Sequence, residues 1–217
     1  MKRSIILTLL AVLTGAGNVR AQVADSGRAN RMLTRLTTKL RTDRTLPDSL
    51  RRLTPTDLTS PSNSNHAALL DDSTSSLLLR TMATTVHALP VSLCGSFLGG
   101  AAVPTRDLDA ILPYADSVTL EQWSTILERI VRARAAPVRR PVASDSMMKV
   151  MFLRVYAAMN PTDQMHLIRI AQRPPPTPAD ACWSMQVMLD QLAALPATDA
   201  GPFVRGMFGQ MGNRKPT

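Results

Sequence analysis

Apolar residues recur along most of the chain at intervals of three or four positions, the spacing that places them on one face of an α-helix. The five clearest stripes are Leu33, Leu36 and Leu40; Leu78, Met82, Val86 and Leu89; Leu120, Trp123, Leu127 and Ile130; Met148, Met151, Phe152, Val155 and Met159; and Cys182, Met185, Leu189 and Leu192. A half-buried strand would alternate apolar and polar residues, and neither sustained alternation nor Asn-Gly hairpin turns occur. The pattern therefore predicts an all-α fold.

Capping chemistry marks the start of several helices. Asn160 and Thr177 each supply a side-chain acceptor directly before a proline, and an aspartate follows three positions later. Together with the stripes, these signals predict helices near 26–45, 72–89, 119–135, 145–159, 161–172 and 178–195, short helical turns near 47–58, a polar loop at 59–65 and a weak last helix near 200–210. We expect an irregular helical bundle of five or six helices with a basic N-terminal helical extension.

Two proline-containing segments interrupt the helical pattern, but neither is long enough to require two large domains. Residues 136–144 contain Pro137 and Pro141, and residues 173–178 read Arg-Pro-Pro-Pro-Thr-Pro, which favours a stiff extended spacer. The predicted organisation is a cleaved signal peptide at 1–21, the basic extension and polar loop at 22–65, and a helical bundle domain at 66–217.

The first residues resemble a secretory signal peptide. Lys2 and Arg3 form a positive start, an uncharged apolar run extends from Ser4 to Gly17, and small residues precede a predicted cleavage after Ala21. An uncleaved anchor is the alternative, but the run is shorter than the ~20 apolar residues that a membrane-spanning helix needs. We expect an exported protein, either periplasmic or extracellular.

A second uncharged stretch lies between Arg80 and Arg106. Pro90, the Gly99-Gly100 pair and several hydroxyl residues make it a poor membrane span, because unpaired backbone groups are costly in lipid. We expect it to lie at the centre of a core instead.

The two cysteines, Cys94 and Cys182, are predicted to form a disulfide. Paired cysteines are common in exported proteins, and Cys182 lies on an apolar stripe that should point inward. Closing the loop between them would restrain the unfolded chain by about 4 to 5 kcal/mol. Two buried free thiols are the alternative.

Basic residues outnumber acidic ones, with 25 Lys and Arg against 16 Asp and Glu. Cleavage of the signal peptide would leave 22 of those 25 basic residues, a net charge of +6. One cluster occupies the end of a predicted helix and the linker after it: Arg129, Arg132, Arg134, Arg139 and Arg140. A second cluster lies opposite the first leucine stripe: Arg28, Arg31, Arg35, Lys39, Arg41 and Arg44.

These clusters predict docking on an anionic envelope surface, such as phospholipid headgroups, lipopolysaccharide or wall polymer, with peripheral membrane contact through the Leu33, Leu36 and Leu40 stripe. Solvated faces without a partner are the alternative. Nucleic acid is not an expected partner because export removes access to it. A protein partner is the other expectation, and the oligomeric state is left open.

Catalytic and metal signatures are weak. Glu121 and Glu128, the only glutamates, lie seven residues apart and could act as paired carboxylates, and His87 with Cys94 could form a nucleophile pair. However, the spacing of Glu128 and Arg132 suits an ordinary helix-surface ion pair. A hydrolase acting on peptidoglycan or peptide is therefore the alternative function, and we assign no catalytic residue.

We also predict no cofactor and no metal site. None of the three histidines has metal-binding spacing, and His166 lies one turn after Asp163, which favours a local pair. The 12 methionines could offer soft ligands to copper, but their helix positions favour core packing. The sequence predicts an exported, non-catalytic helical binding or interaction protein of the cell envelope.

Overall fold

The computed structural model describes residues 24–96, 108–172 and 175–213, and every regular element in these ranges is helical. The prediction of an all-α fold is confirmed. The predicted signal peptide lies outside the described residues, as do positions 97–105 of the uncharged stretch and the first two residues of the proline spacer. The α-helices are α1 (Ser26–Thr42), α2 (Asp48–Arg51), α3 (Pro55–Thr59), α4 (Pro61–Asn65), α5 (Asp72–Ala88), α6 (Val91–Ser96), α7 (Leu108–Ile111), α8 (Ser117–Ala135), α9 (Asp145–Ala158), α10 (Pro161–Ala171), α11 (Pro178–Ala193) and α12 (Ala197–Asn213).

The predicted number of five or six helices is wrong. Seven helices of the described chain have 11 to 19 residues, and five more have four to six. Helices of about one turn are too short to show a periodic stripe, so the pattern misses α4, α6 and α7, whereas α2 and α3 lie within the short helical turns predicted near 47–58. The predicted polar loop at 59–65 is likewise corrected, because α4 occupies most of it and the Asn63 amide donates to the Leu58 carbonyl oxygen at 2.9 Å.

Helix α5 lies at the centre of the fold and contacts α8, α11 and α12. It carries many small polar side chains on its buried sides, including Thr81 and Thr85. The indole Nε1 of Trp123, on α8, donates to Thr85 Oγ1 at 2.9 Å, and the Thr85 hydroxyl donates in turn to the Thr81 carbonyl oxygen at 2.7 Å. These hydrogen bonds pair the Thr85 hydroxyl and the Trp123 indole N–H inside the core, whereas the buried Ser75 hydroxyl on the same helix has no hydrogen-bond partner in the described residues.

Helix α1 belongs to this same core. Leu33, Leu36 and Leu40 are 5%, 2% and 1% exposed, and α1 packs against α8. The prediction that this stripe enters a membrane interface is therefore wrong. An amphipathic pattern reports an apolar face, and here the protein's own helix α8 covers that face.

A disulfide joins Cys94 on α6 to Cys182 on α11, which confirms the predicted pairing. Both residues are buried. The neighbouring Gly95 permits close contact, because a Cβ there would lie 2.4 Å from the carbonyl oxygen of Pro178 at the start of α11.

The linker between α8 and α9 is held in place by α12. Arg205, only 2% exposed, donates from Nε to the Pro141 carbonyl oxygen at 2.6 Å. Its Nη1 donates to the Leu70 carbonyl oxygen at 2.9 Å and to Asp72 Oδ1 at 2.8 Å. The Ala143 backbone N–H also donates to the carbonyl oxygen of Pro202. The linker therefore has a defined path along the protein surface.

Among the helices in the described ranges, none combines the length and the hydropathy that a bilayer-spanning segment requires.

Candidate functional site

The linker brings Arg140 next to two arginines of α8. Arg129 and Arg132, three residues apart on that helix, line the same open cleft as Arg140, which we call the arginine cleft. Its volume is about 430 Å³, and apolar side chains from α8, the linker and the turn before α5 form part of its wall. The remaining lining residues are Leu69, Leu70, Asp71, Glu128, Ala133, Ala136 and Val138.

The three cleft arginines differ in how fully their charge is compensated. Arg132 is paired twice, with Asp43 Oδ2 at 2.8 Å and with Glu128 Oε1 at 3.0 Å. Arg129 has only a long contact of 3.8 Å to Asp71 Oδ2. Arg140 is exposed and makes no hydrogen bond or ion pair within the described residues. The unneutralised positive charge of the cleft is therefore concentrated at Arg140 and Arg129.

Hydrogen bonds lower the pKa values of both carboxylates of the cleft. Burial alone would raise the pKa of Glu128, but hydrogen bonds from Lys39 and Arg132 outweigh it and hold the pKa below its ordinary value. The Lys39 Nζ to Glu128 Oε2 distance is 2.7 Å. Burial also opposes ionisation of Asp71, and hydrogen bonds from Thr74 and Ser73 reverse this effect and lower its pKa. At neutral pH the cleft thus contains both signs of charge.

The other two predicted arginines do not line the arginine cleft. Arg134 donates from Nη1 to Asn63 Oδ1 on α4 at 2.9 Å, so it fastens α4 to α8. Arg139 is exposed and unpaired among the described residues, but it is not part of the cleft wall. The structure therefore brings together three of the five arginines that the sequence grouped.

Ion pairs neutralise part of the second basic cluster, which lies on α1 and directly after it. Arg28 contacts Asp25 at 3.2 Å, and Lys39 reaches across to Glu128. Arg35, Arg41 and Arg44 are exposed and have no ion pair within the described ranges.

The structure disfavours the candidate residues for hydrolysis. Cys94 is in the disulfide and has no thiol, while His87 Nε2 lies 3.0 Å from both carboxylate oxygens of Asp190. The predicted ion pair of Glu128 with Arg132 is confirmed. A general acid needs a raised pKa, and that of Glu128 is lowered instead. Glu121 is exposed on the same helix.

His166 makes a different contact from the one predicted. Its ring stacks on the indole of Trp183 with a centroid distance of 4.2 Å, and Nε2 lies 3.6 Å from Asp180 Oδ1. Asp163, the predicted partner, instead accepts a hydrogen bond from the Asn160 side chain. His166 therefore links α10 to α11.

Histidine, cysteine and carboxylate side chains form no cluster of three or more that could hold a metal ion in the described residues. The methionine positions divide between core and surface. Met148, Met151 and Met159 are buried, whereas Met147 and Met165 are 49% and 51% exposed. Core packing accounts for the buried three.

A second surface feature lies on α9 and α10. Ten large apolar side chains are exposed in the described residues, and six of them belong to these two helices: Met147, Val150, Phe152, Leu153, Met165 and Ile168. No residue of α10 is buried. We call this surface the α9–α10 face.

Sequence reasoning missed Arg205, which fixes the linker and hence the arginine cleft. A signal was present, because Arg205 is a single charge among Phe203, Val204 and Phe208 in a predicted helix. Such an arginine either extends into solvent or is buried with hydrogen-bond partners, and the apolar residues around Arg205 in the sequence favour the second. No sequence signal indicates that Arg140 lies in one cleft with the arginines of α8, because its position depends on the path of an irregular linker.

Comparison of the chain with protein-family models, curated proteins and solved structures finds no match.

Proposed function

We propose that this chain is an exported, non-catalytic binding protein of the cell envelope that docks on anionic material through the arginine cleft. The disulfide supports export, because such bonds persist mainly in oxidising compartments. The expected partner offers phosphate or carboxylate groups, which the planar guanidinium group binds with paired hydrogen bonds.

One observation carries the proposal: Arg140 extends into a cleft beside Arg129 without a counter-ion of its own in the described residues. Other exposed arginines, such as Arg139, also have no ion pair in the described residues, but of the five arginines predicted as a cluster only Arg140 combines an unpaired guanidinium group with a place in the cleft. An arginine that a pinned linker holds next to a second, weakly paired arginine is free to bind an external anion. The apolar wall formed by Leu69, Val138 and other residues also suits a ligand whose anionic group adjoins an apolar part.

The test is co-sedimentation of the mature protein with anionic vesicles, with neutral vesicles and with purified wall polymer, each at low and high salt. The test variant changes Arg129, Arg132 and Arg140 to Gln. The control changes Arg35, Arg41 and Arg44 to Gln, which alters the net charge equally at exposed positions on α1 and directly after it. Circular dichroism first establishes that both variants are folded.

We expect the wild-type protein and the α1 control to pellet with anionic material at low salt and to be released at high salt, because ions screen surface charges over ~8 Å at physiological ionic strength. The cleft variant should pellet much less. Equal pelleting of all three proteins at every salt concentration would show that the cleft is an ordinary solvated surface. No pelleting of the wild-type protein would contradict the proposed function itself.

A further inference from the structure

The composition of α9 does not fit its exposed position. Apart from Asp145 in the first turn, Lys149 and Arg154 are its only charged residues. A helix that is apolar around its whole circumference normally lies in an interior. Here Met148, Met151 and Val155 are buried, while Val150 and Leu153 on the other side are 54% and 68% exposed. The outer side of α9 therefore lacks a covering layer in the single chain.

The basic residues of α9 flank its outer apolar stripe. At about 100° of rotation per residue, Val150, Leu153 and Ala157 fall on the side opposite the core. Lys149 lies about 40° beyond Leu153, and Arg154 lies about 40° beyond Val150 on the other side. Lys149 in this position can extend toward phosphate groups while its neighbours enter an apolar phase, whereas Arg154 is held by Asp199 Oδ2 of α12 at 2.9 Å. This arrangement is typical of helices that lie in a membrane interface.

Helix α10 continues the same pattern. Met165 and Ile168 are 51% and 40% exposed, and Arg169 beside them is exposed without an ion pair in the described residues. Asp163, in the first turn of α10, is already bonded to Asn160. The positive charges without an ion pair in the described residues, Lys149 and Arg169, thus lie within the exposed parts of the two helices, whereas the acids of α9 and α10 lie at the helix starts.

From these observations we infer that the α9–α10 face docks on the surface of an anionic phospholipid bilayer, with its apolar side chains in the interface. The inference rests on the proposed function, because it adds a lipid-binding surface to a protein that the arginine cleft already holds on anionic material. Charge decides against a second copy of the chain, since a symmetric contact through this face would bring Lys149 and Arg169 of both copies into one interface with no acid between them.

Two double variants, which change the net charge of the protein by the same amount, test the α9–α10 face. The test variant combines Val150→Asp with Leu153→Asp. The control combines Val91→Asp with Val118→Asp, two valines that are 53% and 63% exposed on other helices. Binding is measured with vesicles of phosphatidylglycerol and phosphatidylcholine and, separately, with purified wall polymer. Sedimentation velocity gives the oligomeric state of each protein.

A probe measurement locates the face directly. In a Leu153→Cys variant, labelling without reductant attaches an environment-sensitive dye to that residue alone, because both native cysteines are in the disulfide. On vesicle binding we expect a blue shift of dye emission and quenching by lipids with a spin label on the acyl chain.

We expect the Val150 and Leu153 variant to bind anionic vesicles at least tenfold more weakly than the control, with binding to wall polymer unchanged. Equal vesicle binding, equal losses on vesicles and wall polymer, or a dye that stays in water would overturn the inference while the proposed function stands. A wild-type dimer that the variant dissociates, or binding to wall polymer but not to vesicles, would overturn it as well. Failure of the wild-type protein to bind either material would refute the proposed function first.

Discussion

Replacing Arg205 with methionine should destabilise the protein more than the loss of any single arginine of the arginine cleft. Methionine keeps much of the apolar length of arginine but provides no donor. The change leaves the Leu70 and Pro141 carbonyl oxygens without their donor, and it also removes the contact with Asp72.

The expected cost follows from the burial of these groups. Hydrogen bonds to a charged partner contribute about 1.5 to 3 kcal/mol each, and an acceptor left unpaired in the interior adds a penalty. The Asp72 side chain is 46% exposed, so water screens its share and we discount it. The Leu70 carbonyl contact is buried and counts in full, whereas Pro141 is exposed and water can replace part of its contact, so the loss is about 2 to 4 kcal/mol, out of a total of about 5 to 15 kcal/mol for a typical domain.

Urea unfolding, followed by circular dichroism at 222 nm, measures this loss. With a denaturant slope of about 2.5 kcal/mol per M, the midpoint should fall by about 1 to 2 M. Asp72→Asn is the matched control, because it removes the negative charge but retains an acceptor, and it should cost less than about 1 kcal/mol. If Arg205→Met shifts the midpoint no further than Asp72→Asn, the two carbonyl contacts do not stabilise the fold as argued.

Three further predictions concern stability. Changing Cys94 and Cys182 together to Ala should lower the free energy of unfolding by about 4 kcal/mol, and mass spectrometry of unfolded, unreduced wild-type protein should find neither thiol alkylated. Gly95→Ala should lower the free energy of unfolding by about 1 to 3 kcal/mol, because the new Cβ meets the backbone of α11. Gly209→Ala has open space around it and should be neutral or stabilising in the same urea unfolding experiment. A backbone N–H of α8 lowers the pKa of Asp116, so the ionised carboxylate stabilises the fold above about pH 4, and this stabilisation is lost as the pH falls further. Asp116→Asn should therefore flatten the decline of the urea midpoint between pH 5 and pH 3. An unchanged decline would contradict this prediction.

The long helices could be predicted because each carries its own evidence. Thr177 and Asn160 accept hydrogen bonds from the backbone N–H groups of Asp180 and Asp163, as the capping pattern indicated. These contacts are local, and the residues that make them are three positions apart. The disulfide was predictable for a different reason, since the chain has only two cysteines.

The site could be predicted only in part, because it depends on contacts between distant segments. The arginine cluster was visible in the sequence, but Arg134 turns toward Asn63 and Arg140 turns toward α8. The leucine stripe of α1 shows that one face of the helix is apolar, but the sequence pattern does not distinguish a membrane from helix α8 as the surface that covers it. Conversely, the weak amphipathicity of α9 favoured burial, and its exposed outer side emerges only when the packing of the whole chain is known.

The most direct test of the proposed function compares two adjacent arginines. Arg139 and Arg140 are both exposed and unpaired among the described residues, but only Arg140 lines the arginine cleft. Single changes to Gln should therefore leave the fold intact and alter the net charge equally. The measurement is the affinity of each variant for anionic vesicles and for purified wall polymer over a series of salt concentrations.

We expect Arg140→Gln to weaken binding at low salt roughly fivefold, which corresponds to about 1 kcal/mol for one basic residue at an anionic surface. It should also reduce the dependence of binding on salt, while Arg139→Gln should stay close to the wild-type protein. If the two variants lose affinity equally, the positive charge acts without regard to position, and the claim that the arginine cleft is the binding site is wrong.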